Sequence, residues 1–100
     1  MKPLVNHMYC CKLGMLLPTY DSMTTTLKNN ELLLLDNDTY IVVLESYKIV
    51  TPPFYSESAT YRVKIKILTG EHKGKIVCTA LSRPSFLNKR LMKHIGDING

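Results

Sequence analysis

The stretch whose reading decides the fold is YRVKIKIL at positions 61–68, where Tyr61, Val63, Ile65 and Ile67 alternate with Arg62, Lys64 and Lys66. Side chains on a strand project to opposite faces with a period of two. The alternation therefore predicts a half-buried antiparallel strand with four apolar groups inward and three cations outward. Downstream, Gly70 and Gly74 bracket a turn, and residues 75–81 read as the returning strand. Upstream, residues 39–50 are rich in Tyr, Ile and Val and read as a long strand. Pro52-Pro53 ends it, because neither residue can donate a ladder hydrogen bond, and a polar loop at 56–58 precedes the central strand.

Further toward the N-terminus the signals become local. Asp36-Asn37-Asp38 reads as a turn. Residues 31–35 carry four consecutive leucines with no alternation, and the turn signals at both ends favour a strand over a helix. Asn29-Asn30 tolerates the left-handed conformation of a tight hairpin, so Thr24, Thr25 and Thr26 are expected on the preceding strand. In residues 1–20, Pro3, Gly14 and Pro18 break any long period, leaving an irregular segment or a short strand at 13–17. At the other end the period changes. Ser82 suits an N-cap with Pro84 in the first turn, and Leu87, Leu91 and Ile95 recur every four residues until Gly96. This predicts an amphipathic helix over 83–95, with Lys93 and His94 complementing the negative end of its dipole.

A chain of 100 residues and 11.4 kDa has room for one core, so one domain over 1–100 is expected, with antiparallel strands in 22–81. At 45% hydrophobic and 21% charged, the composition is that of a folded chain. The expected fold is mainly β: a small antiparallel SH3-like β-barrel, or a strongly bent sheet, with one C-terminal α-helix capping an open end. An OB-type barrel is disfavoured, because residues 51–60 contain Pro52-Pro53 where that fold usually inserts a helix.

The formal charge of +5 is unevenly placed. Residues 1–60 hold four Lys against six acids, whereas residues 61–100 hold six Lys and three Arg against Glu71 and Asp97. Such asymmetry points to an acidic partner or nucleic acid. With Leu87, Leu91 and Ile95 turned inward, Arg83, Phe86, Lys89, Arg90 and Lys93 share the opposite face of the expected helix. Cations there would neutralise phosphates, and the Phe86 ring would stack on an unpaired base. Arg62, Lys64 and Lys66, with Lys73 and Lys75 at the hairpin tip, extend that surface. The competing reading is an ordinary solvated face.

The hairpin ILTGEHKGKIV, residues 67–77, resembles the KOW motif of SH3-like barrels in ribosomal proteins and transcription elongation factors. Gly70, Lys73 and Gly74 match its glycine and Lys-Gly pair, while its later glycine is missing, since Ile76, Val77 and Cys78 follow directly. The resemblance spans about eleven residues. It implies that Lys73 and Lys75 contact RNA or a polymerase.

Other chemistry has little support in the residues. Cys10 and Cys11 are adjacent and do not match the spaced pairs that wrap zinc, and His7, His72, Cys78 and His94 show no ligand spacing, so no metal and no cofactor are expected. Asp36 and Asp38 begin like a calcium loop, but Tyr40, Ile41 and Tyr47 occupy its later key positions. No nucleophile elbow or triad context is present, so no enzyme activity is expected. An odd number of cysteines argues for free thiols and a cytoplasmic, cytosol-like compartment, or a host cell's cytoplasm for a viral protein, with Cys78 in the core. No signal peptide or membrane-spanning stretch is read in the sequence.

These readings favour a non-enzymatic module that binds RNA, single-stranded DNA or an acidic macromolecule. The alternative is a protein-interaction or inhibitor module using Tyr40, Tyr47, Phe54 and Tyr55, such as a viral accessory protein acting on a host factor, an origin suggested by size alone. Self-assembly through a strand edge ranks third.

Overall fold

The computed structural model describes residues 4–12, 14–21, 26–49, 60–82 and 91–98. They form seven strands: β1 His7–Cys11, β2 Leu16–Asp21, β3 Thr26–Leu34, β4 Thr39–Ile49, β5 Thr60–Ile67, β6 Ile76–Ser82 and β7 Met92–Asp97. All pair antiparallel in the order β3-β2-β6-β5-β4-β1-β7. The expected barrel is overturned by this order. The sheet is open, with β3 and β7 as its two edges.

The C-terminal helix is corrected as well. Residues 92–97 are extended and pair with β1 from Cys11↔Met92 to His7↔Asp97, while residues 83–90 lie outside the described residues. In a strand the four-residue spacing of Leu91 and Ile95 loses its meaning. Met92 is buried, whereas Ile95 is 42% exposed. Without β7, β1 would present a row of unpaired backbone groups, and satisfying them outweighs a weak local helix preference. The dipole role assigned to Lys93 and His94 disappears with the helix.

The alternation of β5 sets the core. Val63, Ile65 and Ile67 are completely buried and Tyr61 nearly so, packed with Ile41 and Val43 of β4 and Val77 and Leu81 of β6. Tyr9 and Cys11 of β1, Leu17 of β2, Leu33 and Leu35, and Met92 join the same cluster. Each fully buried Val, Leu or Ile contributes about 1.5–3 kcal/mol relative to exposure. Cys78, expected inside, is only half-buried and lies on the other face, paired with Lys64. Cys10 and Cys11 are the buried thiols. Burial, with a smaller push from Cys10, raises the Cys11 thiol to about 12, so it stays protonated at neutral pH.

One antiparallel ribbon ties the two halves together. β1 and β2 are consecutive in the chain yet four places apart in the sheet order, as are β3 and β4. Two hydrogen bonds join the ribbon beside the links between these strands: Leu35 N–H donates to the Met15 carbonyl and Asp38 N–H to the Cys11 carbonyl, both at 2.8 Å. The register is the same on either side of the links, Met8↔Val42 to Cys11↔Thr39 on one and Leu16↔Leu34 to Pro18↔Leu32 on the other.

The tight hairpin expected at Asn29-Asn30 is absent, for β3 runs straight through these residues. The register jumps there instead, from Pro18↔Leu32 to Tyr20↔Leu27. The asparagines therefore lie in a bulge of β3, the other setting that accommodates irregular backbone. Pro18 accounts for its position, since it brings no N–H to a strand flanked on both sides. β2 meets β6 at the single pair Thr19↔Thr79. The buried Thr79 hydroxyl donates to the Pro18 carbonyl at 2.6 Å and reinforces that thin seam.

Candidate binding surface

The outward face of β5 carries the first group of expected cations. Strand register sets their neighbours: Arg62 lies between Tyr47 and Ala80, Lys64 between Glu45 and Cys78, and Lys66 between Val42 and Ile76. Their surroundings differ. The Arg62 guanidinium sits over the Tyr20 ring at 4.5 Å, a cation–π contact, and its Nη1 is buried with no hydrogen-bond partner among the described residues. Lys64 Nζ is 3.9 Å from Glu45 Oε2, a long, solvent-exposed ion pair. Lys66 is exposed beside Ile76, itself more than half exposed.

Lys73 and Lys75 are also exposed, on the turn joining β5 to β6. Gly74 N–H donates to the Ile67 carbonyl at 2.7 Å, and Ile67 N–H to the Lys75 carbonyl at 2.9 Å. The base of the turn is clamped to the start of β4 and to the β3–β4 link. Tyr40 N–H donates to Thr69 Oγ1 at 2.9 Å and Glu71 N–H to Asp36 Oδ2 at 3.4 Å. Gly70 makes the approach possible: its φ is +87°, and a Cβ there would stand 3.2 Å from Asp36 Oδ2. The two lysines thus project from an anchored turn. A further basic group, Lys12, is paired with Asp38 in an exposed contact. Hydrogen bonding raises the lysine above its ordinary value and holds the carboxyl below its own.

The remaining expected residues do not form one surface with these. Lys93 is exposed on β7, opposite Cys10, with β1 and β4 between it and β5. Arg83, Phe86, Lys89 and Arg90 lie outside the described residues, as do Phe54 and Tyr55. Tyr40 is half-buried at the start of β4, and Tyr47 is placed by its backbone opposite Arg62.

Two features escaped the sequence reading. Leu16, Leu32 and Leu34 are 56%, 60% and 57% exposed, with Leu16 directly opposite Leu34 and Leu32 opposite Pro18. The unalternating run of four leucines was the available signal: on a strand only alternate members can face one core, and Leu33 and Leu35 do so. The second is a contact between His7 and His94, 87 positions apart, for which no spacing rule exists.

Among the described residues no group of three or more His, Cys, Asp or Glu is placed to hold a metal ion, and no helix is long and apolar enough to cross a membrane. Comparison with protein-family models, curated proteins and solved structures finds no match for this chain.

Proposed function

We propose that the protein is a non-enzymatic binding module that docks RNA, single-stranded DNA or another acidic macromolecule through the β5–β6 hairpin. The observation carrying this reading is the contrast among its cations. Lys66, Lys73 and Lys75 are exposed and, among the described residues, in no ion pair, whereas Arg62 is held on Tyr20 and Lys64 by Glu45. Lysines on an anchored turn meet phosphates or carboxylates with little further ordering of the backbone. The KOW resemblance of residues 67–77 belongs to the same proposal, since it also implicates Lys73 and Lys75. Arg83, Phe86, Lys89 and Arg90 enter it as members of the same basic portion of the chain. Three free cysteines fit a reducing, cytoplasmic setting.

The test is titration of the protein with a fluorescent oligouridylate and with an oligoglutamate at several salt concentrations. Three lysine contacts to a single strand give a slope of about −2 for log affinity against log salt. Joint substitution Lys66→Glu, Lys73→Glu and Lys75→Glu abolishes binding. Absence of binding to either probe at low salt rejects the proposal.

The exposed leucines favour a second reading, a protein-interaction module using the β2–β3 wing, because clustered surface apolar groups mark contact sites. Its signature is a stoichiometric protein partner retained after nuclease treatment and lost on combining Leu32→Ser with Leu34→Ser.

A further inference from the structure

We infer that His7 and His94 form a proton-operated latch that holds β7 on β1. His7 Nδ1 and His94 Nε2 are 2.7 Å apart, with ring centroids 5.0 Å apart and planes at 20°. The centroid separation exceeds the nitrogen separation by about one ring width, so the rings meet nitrogen to nitrogen. Such a contact needs one N–H donor and one lone pair. Two neutral rings in complementary tautomers satisfy it, as does a pair sharing one additional proton. Once both rings are protonated, both nitrogens carry hydrogen, no acceptor remains, and two cations are in contact. Histidine is the side chain that makes this change between about pH 5 and 8.

The position makes the contact consequential. The β1–β7 register shifts between Met8 and Tyr9, so His7 stands opposite Asp97 and Tyr9 opposite His94, while Ile95 is the extra residue of β7. The side-chain clasp spans this irregular part of an edge ladder. The titratable groups that the described strands bring to it are few. On β1, the Tyr9 ring is 5.1 Å from His94, and its hydroxyl accepts from Leu4 N–H at 3.0 Å. On β7, Asp97 occupies the ladder position opposite His7, and Lys93, paired with Cys10, belongs to the other face. β4, the other neighbour of β1, brings apolar Val43 alongside, its carbonyl accepting from Asn6 N–H at 2.8 Å. Two protonated rings in contact repel each other. Docking of β7 therefore weakens once both rings are protonated.

The experiment is amide hydrogen exchange by NMR on the whole chain at about pH 7.5 and about pH 5, with intrinsic exchange rates divided out. The Ile65 amide serves as the reference for global opening. Protection of the β7 amides bonded to β1 falls roughly tenfold relative to Ile65 in the wild type, an effect as large as one proton-linked factor of ten. In His94→Gln, whose amide does not titrate, the ratio stays constant, and His7→Asn serves as the second variant if His94→Gln fails to fold. A wild-type ratio that is unchanged between the two pH values overturns the latch, as does an equal loss in the folded variant.

Discussion

The slab β4-β5-β6 and the wing β2-β3 both carry apolar runs and behave differently. In the slab, β5 pairs residue for residue with β6 from Thr60↔Ser82 to Lys66↔Ile76, and its inward groups are fully buried. In the wing, β2 joins β6 at one pair, the β2–β3 register jumps across Lys28 to Glu31 whereas β4–β5 slips only at Leu44, and half of a leucine run faces outward. What separates them is chemistry at the outward positions. Arg62, Lys64 and Lys66 make one register of β5 far better than its one-residue slip, whereas Leu32 to Leu35 is apolar in either register. In the wing, continuity with the β1–β4 ribbon supplies the register that local alternation lacks.

Substitutions graded across this contrast sharpen it. Ile65→Ala, at the centre of the slab, is expected to cost about 2–5 kcal/mol by urea denaturation. A loss below about 1 kcal/mol would mean that the slab does not carry the core. Thr79→Val keeps the shape but removes the hydroxyl bond to Pro18, and about 1–2 kcal/mol is expected from the same measurement. An unchanged midpoint would show that the β2–β6 seam holds without it. Leu34→Ser, on the exposed face of the wing, is expected to leave stability within about 0.5 kcal/mol. A large destabilisation would place that leucine under cover.

Much of the slab was legible because period-two alternation and the glycine-bracketed turn state both face and direction. The two edges were not. Asn29-Asn30 advertises irregular backbone without saying whether it is a turn or a bulge, and Pro18 decided in favour of the bulge. The spacing of Leu91 and Ile95 satisfies a helix, but what settles residues 92–97 is the vacant edge of β1, a feature some eighty positions away. The candidate surface follows the same division. Lys66, Lys73 and Lys75 came from local pattern, while the tethering of Arg62 to Tyr20 and of Lys64 to Glu45 depends on cross-strand neighbours.

The central claim is that the chain closes its β1 edge with a strand drawn from its own C-terminal portion. Backbone NMR tests it most directly. The account predicts extended chemical shifts over Met92–Asp97 and cross-strand nuclear Overhauser contacts joining Cys10 to Lys93 and Tyr9 to His94. Helical shifts and contacts between residues three apart over the same stretch would contradict it.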